Sequence, residues 1–243
     1  MSGSIRQRHH LPRILFAALT ALLLDAPPSP AGDLRAAIAR GSGLAAFDAI
    51  EEIAYTFHVK LPEREVSRSW VWAPAADRVT FRPTGDPAGE LTYERGALAS
   101  GSAPERARAA DPAFVNDNYW LLFPLRLTWD LSARLVEEPA PAALPIGSGR
   151  ARRVVVTYPA DEGYTPGDVY ELFLDAEGRI LQWVYRKAGS ASPTRVTTWE
   201  DWRPAGPLVL SLDRRGADGL FRVWFTDVAV RPKGAAGWIP ARP

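Results

Sequence analysis

"NDNYWLLFPLRLTWD", Asn116 to Asp130, decides how the rest of the chain is read. Tyr119, Trp120, Leu121, Leu122, Phe123, Leu125, Leu127 and Trp129 crowd one short run. So much apolar and aromatic surface has three uses: core, membrane element, or the wall of a site for an apolar ligand. A bilayer span needs about 20 predominantly apolar residues. Pro124 and Arg126 interrupt this run, so it does not cross a membrane. Asp111 before Pro112 reads as a cap with Pro at the first helical position, and Pro124 disfavours helical geometry at the residue before it. The spacing predicts a helix from about Pro112 to Phe123. Leu125, Leu127 and Trp129 then alternate with Arg126 and Thr128, which predicts a strand entering a sheet.

Upstream, "DLRAAIARGSGLAAFDAIEEI" opens with Asp33 as an N-cap followed by good helix formers. Gly41-Ser42-Gly43 interrupts the helix, and a second helical turn starts at Leu44. The periodicity then changes to two. In "IAYTFHVK", Ile53, Tyr55, Phe57 and Val59 share one side and Thr56, His58 and Lys60 the other, as in a half-buried strand. Further strands follow: "EVSRSWVWA", "DRVTFRP", "GELTYERG", "ARRVVVTYP", "DVYELFLD", "RILQWVYRK", "TRVTTWEDW", "PLVLSLDRR" and "LFRVWFTDVAV". Turn residues separate them: Pro74-Ala75-Ala76, Asp86-Pro87, Pro166-Gly167, Glu177-Gly178, Pro204 to Pro207, and Ala217-Asp218-Gly219. Short strands at this spacing predict an antiparallel meander rather than βαβ units. Ser100 to Pro112 and Glu137 to Arg150 read as loops flanking the central stretch.

The N-terminus reads as a secretory signal peptide over residues 1–31. Arg6, Arg8 and Arg13 precede the uncharged run "ILFAALTALLL", and Ser29 and Ala31 supply small residues at the exit. An uncleaved N-terminal anchor is the alternative. Residues 32–243 then form a single exported domain, in the periplasm or secreted. Losing three Arg and Asp25 turns the formal charge of +1 slightly negative. A near-neutral chain has no electrostatic footprint for nucleic acid. The chain has no cysteine, which excludes disulfides, thiolate zinc sites and a lipid-modified cysteine anchor.

Groups for catalysis are few. His58 is the one histidine beyond the leader and reads as a solvent-facing strand residue. The acids of "DEGYTPGD" (Asp161 to Asp168) and "WEDW" (Trp199 to Trp202) would suit glycoside hydrolysis or calcium, but Pro166-Gly167 is also ordinary hairpin-loop chemistry. No enzyme activity, metal or cofactor is expected. The aromatic residues carry the stronger signal. Trp70 and Trp72 share a strand face with Arg68. Phe81 pairs with Val79 on one face, Tyr93 with Leu91, and Trp183 with Tyr185. Nine tryptophans and few helices leave a curved sheet with either a filled core or a cavity for an extended apolar ligand. Carbohydrate binding or turnover on exposed tryptophan platforms, together with the 161–168 loop, is the competing reading.

A leader, a helix ending at "ARGSGLAAFDAI", and a long meander interrupted once by a helix form a layout that resembles the periplasmic lipoprotein carriers, the LolA/LolB-like superfamily. "VWAPAADRVTF", "NDNYWLLFPLRL" and "GYTPGDVYELFLDAEGRILQWVYRK" carry the likeness, which spans most of the exported chain. The closing "GAAGWIPARP" has no counterpart there. The resemblance implies a mainly β (α+β) fold: a strongly curved antiparallel sheet, or incomplete β-barrel, with a helical lid. It implies a binding protein that shelters lipid acyl chains, or a lipidated protein, in an apolar hollow. Tyr119, Trp120, Leu121, Leu122 and Phe123 would line or close that hollow. Trp70, Trp72, Phe81, Tyr93, Trp183 and Tyr185 would form its walls, and Arg68 would latch a ligand or the lid. A monomer with transient contacts to a membrane or membrane protein is expected.

Overall fold

Alternating apolar positions become strands because each buries one face, and here they assemble into two antiparallel sheets. The computed structural model describes residues 30–83, 89–161 and 165–243. Helix α1 (Pro30–Arg40) and a 3-10 turn (Leu44–Ala49) lead into β1 (Ile50–Leu61), β2 (Arg64–Ala73), β3 (Arg78–Arg82) and β4 (Leu91–Glu94). The short α2 (Gly96–Ala99) and the long α3 (Glu105–Trp129) follow, then β5 (Arg134–Glu137), β6 (Ala142–Ala143), β7 (Arg150–Thr157), β8 (Val169–Leu174) and β9 (Ile180–Arg186). The chain ends with β10 (Arg195–Thr198), β11 (Glu200–Ala205), β12 (Leu208–Arg215), β13 (Arg222–Pro232) and β14 (Ile239–Pro240).

The first sheet runs β11-β12-β13-β1-β2-β3-β4, with β14 beside β13. The second runs β10-β9-β8-β7-β5, with β6 beside β7. A bridge between Thr197 and Gly216 links the two. They do not close into a barrel, and α3 lies against the curved surface that they form. The expected curved antiparallel sheet with a helical lid is therefore the fold.

Two local devices bend the sheets. Between Ala54↔Ala229 and Thr56↔Thr226 the β1–β13 register slips, so that Asp227 and Val228 lie opposite Tyr55. Such a bulge adds local twist. Asp227 adopts φ 52°, and its carboxylate accepts the hydroxyls of Thr56 at 3.0 Å and Thr226 at 2.9 Å. The second device is a corner at Trp199. Its N–H still donates to Leu181 O at 2.7 Å, whereas Glu200 already pairs with Asp213 of β12. "TRVTTWEDW", read as one strand, is thus two strands in different sheets. The buried Trp199 ring holds the corner against Trp183, 5.2 Å away.

The largest departure from the sequence reading is α3. It starts at Glu105, inside the segment read as a loop, and continues to Trp129 through both Pro112 and Pro124. Asp111 is not a cap; it accepts from Tyr93 Oη at 3.1 Å and Arg95 Nε at 2.7 Å. Leu125 to Trp129 is helix, not strand. Pro124 has no N–H for the carbonyl one turn back, and the helix kinks at Leu122 (φ −113°, ψ 15°) and carries on. It carries on because every residue from Leu121 to Leu127 is buried. A helix apolar all round belongs inside a core, and its local alternation then imitates a strand. Likewise α1 begins at Pro30, so Asp33 sits in its first turn instead of capping it. Residues 1–29 of the expected leader (1–31) and the Asp86-Pro87 turn, in 84–88, lie outside the described residues, and the last two leader residues, Pro30 and Ala31, open α1.

Gly43 seats the α1 end on the first sheet. At φ +88°, a Cβ there would meet Pro207 O at 2.5 Å and Leu208 Cα at 3.0 Å. Gly219, at φ +67°, has no atom within 4 Å of the same position. In urea melts, Gly219→Ala is expected to cost about 1 kcal/mol of left-handed strain. Gly43→Ala should cost clearly more, because a backbone must move as well.

Candidate functional site

The polar anchor of the site is Asp117, whose side chain is 0% exposed. It lies on α3 between Val115 and Tyr119. Its Oδ1 and Oδ2 accept from Arg68 Nη2 at 2.6 Å and Nε at 2.7 Å. Trp70 Nε1 donates to Oδ2 at 2.9 Å, and Asn116 Nδ2 donates to Oδ1 at 3.0 Å. The alternation of β2 puts Arg68 and Trp70 on one face, so a single carboxylate ties that face to the helix. Arg68 also lies 5.1 Å from the Phe57 ring centre. Burial raises the Asp117 pKa above the usual carboxylate value, and the Arg68 hydrogen bond and charge pull it partly back. Arg68 is thus tied to α3 through Asp117.

Beside this latch lies a cavity of about 560 Å³ between α3 and strands of both sheets. Phe57, Val59 and Arg68 line one side, Val115, Asn116, Tyr119 and Trp120 the helix side, and Tyr170, Trp183, Tyr185, Phe221 and Val223 the remainder. Trp120 is half-buried, 4.7 Å from Trp183 and 5.9 Å from Phe221. Tyr170 and Tyr185 stack at 5.0 Å. The Tyr185 hydroxyl donates to Asp168 at 3.0 Å, and burial with that carboxylate pushes its pKa up to about 12. Burial raises Tyr119 and Tyr170 too. The wall phenols stay neutral, and the walls are mainly apolar. The volume falls in the range of about 300–1,000 Å³ common for small-molecule sites.

Of the residues singled out in the sequence, Arg68, Tyr119, Trp120, Trp183 and Tyr185 come together around this cavity. Trp70, Tyr93, Leu121, Leu122 and Phe123 are buried in the core, and half-buried Phe81 stacks on Trp70 at 4.5 Å. Trp72 lies beside a second hollow of about 430 Å³, with Phe47, Trp129, Arg95 and Lys233. The sequence reading missed Phe57 and Val59 as walls, although they share the β1 face already identified as apolar. It missed Tyr170, Phe221 and Val223 as well. Only the meeting of the two sheets places these against α3.

The tryptophans do not make a platform. Trp129 and Trp238 alone are exposed, at 40% and 41%. Trp129 packs 4.6 Å from Phe47, and Arg231 lies 5.9 Å from the Trp238 ring centre. Asp168 of the acidic loop is buried, holding Tyr185 Oη and the Ala188 N–H at 2.8 Å. Residues 162–164 of that loop are outside the described residues. His58 is half-buried, stacks on Trp224 at 4.9 Å and shares a hydrogen bond with Thr226 at 2.9 Å. Among the described residues, no group of three or more His, Cys, Asp or Glu could hold a metal, and no helix is long and apolar enough to cross a membrane.

No protein-family model matches the chain, and no curated protein matches it. Among solved structures, one similar to it is described as a DUF1329 family protein from Desulfovibrio piger. The two share 7% identity and a TM-score of 0.45, over 86% of this chain and 95% of that one. Another is described as a putative outer membrane lipoprotein-sorting protein domain from Vibrio parahaemolyticus. It shares 9% identity and a TM-score of 0.42, over 84% of this chain and 93% of that one.

Removing Arg68 would leave the Asp117 charge buried with only neutral donors. Arg68→Met is expected to destabilise the fold by about 3 kcal/mol at neutral pH. A carboxyl raised by burial binds its proton better folded than unfolded. Its charge therefore costs stability above the raised pKa, and the cost fades as pH falls toward the unfolded value near 3.9. Urea melts from pH 7 down to pH 4 should show the deficit of the variant shrinking. A deficit that holds constant or grows toward acid would contradict this account of the latch.

Proposed function

We propose that the protein is a non-enzymatic binding protein that shelters a lipid acyl chain in the cavity between α3 and the curved sheet. The observation that supports this reading is the cavity itself: about 560 Å³, walled by Phe57, Val59, Trp120, Trp183 and Phe221, beside the apolar core. Each buried CH₂ contributes about 0.8 kcal/mol, so apolar walls can retain an acyl chain with no metal and no covalent step. Phe57 and Val223 are almost fully buried, as wall residues set in a stable sheet should be. In this reading the chain acts as a monomer after export through the leader at residues 1–31. It passes its lipid, or a lipidated protein, between a membrane and a partner.

The test is mass spectrometry of an organic extract of the protein, purified from the periplasm without detergent. A fatty acid or phospholipid at near one per chain is the expected result. Trp120→Asp should empty the extract while leaving the melting temperature close to that of the parent, since Trp120 is only half-buried. A clean extract from the unaltered protein that also binds no added lipid would sink the proposal.

A further inference from the structure

The cavity is not electrically neutral at its rim. Lys187 and Arg195 both line it and both are exposed. Neither side chain makes an ion pair with a carboxylate among the described residues. They differ in this from Arg68, which Asp117 neutralises, and from Arg186, whose Nε meets Glu171 at 2.7 Å. Among the described residues, the one carboxylate lining the cavity, Asp168, is buried and occupied by Tyr185 Oη and the Ala188 N–H. Among the described residues that line the opening, then, the two exposed and unmatched charges are both positive.

Arg195 is also positioned. Its guanidinium lies 4.2 Å from the Phe221 ring centre, a cation–π contact that steadies a long side chain. From there an aromatic row runs inward: Phe221 to Trp120 at 5.9 Å, then Trp120 to Trp183 at 4.7 Å. A fixed cation at one end and an apolar wall along the rest match a ligand with an anionic head and one apolar tail.

We infer that the cavity selects single-chain anionic amphiphiles, with Lys187 and Arg195 receiving a carboxylate or phosphate head and the Phe221–Trp120–Trp183 row receiving the chain. This rests on the acyl-chain reading above and adds the class of lipid. Arginine suits such a head because its planar fork matches both oxyanions. The rim is solvated, so salt weakens the attraction and the selectivity is moderate, on the order of tenfold.

The experiment is calorimetric titration of the delipidated full chain at neutral pH with myristate, tetradecyl phosphate, tetradecanol and tetradecyltrimethylammonium. Both anions are expected to bind about tenfold more tightly than the alcohol, and the cation more weakly than the alcohol. The tighter of the two anions identifies the head group. High salt should erase most of the difference. In the double variant Lys187→Glu and Arg195→Glu the anion preference should vanish or invert while tetradecanol affinity holds, and the latter shows that the fold and walls are intact. Lys187→Gln with Arg195→Gln gives the same readout without charge reversal. Equal affinity for alcohol and anions, or an undiminished anion preference in both double variants, would overturn the inference and leave the carrier reading standing. Failure of all four amphiphiles to bind would overturn both.

Discussion

A buried carboxylate on the helix that packs against both sheets sets the terms for this structure. Asp117 has no exposed surface, so its charge must be met inside the protein. Arg68, Trp70 and Asn116 together supply four donors. A bidentate arginine pair is directional as well as strong. It therefore fixes the rotation of α3 on β2, which sliding apolar contacts alone would leave loosely specified. With that rotation set, Leu121, Leu122 and Phe123 enter the core, and Tyr119 and Trp120 border the cavity.

The interior carries further polarity that a simple apolar filling would lack. Arg126 Nε donates to Asn118 at 2.7 Å and its guanidinium lies 4.5 Å from the Tyr119 ring centre. Arg214 is 0% exposed, sits 4.0 Å from the Trp199 ring centre, and donates to Ser211 O. Burial lowers its pKa to about 9. Such groups are costly to bury and stay tolerable where aromatic faces and carbonyls replace water. They lie where the geometry is most demanding: Arg214 against the Trp199 corner between the sheets, and Arg126 just beyond the kink in α3. These two buried cations thus lie at bends of the fold.

Much of the architecture was legible in the chain. Period-two alternation gave the faces of β1 and β2, and turn residues separated most strands. Two failures share one cause. Leu125 to Trp129 alternates, and "TRVTTWEDW" is continuous, so both look like single strands. Local pattern cannot register that α3 is buried on every side from Leu121 to Leu127, nor that Trp199 leaves one sheet for the other. The site divided along the same line. Trp183 and Tyr185 were found by their shared face and do border the cavity, whereas Trp70 on an equally aromatic face is filled in by Phe81 and Phe114.

What the sequence determined by itself is the material: an antiparallel sheet rich in aromatic residues, no thiol chemistry, and a helix too interrupted to cross a membrane. Side-chain alternation states which residues turn to the same face, and that is a property of the backbone alone. Whether a face meets another side chain or an open space was decided only by tertiary structure, because it depends on residues more than a hundred positions away. Phe57 and Trp183 border one cavity on those terms. Lys187 and Arg195 show the same limit at the surface. Nothing local distinguishes them from other exposed cations until the β9–β10 connection brings them to the rim of that cavity.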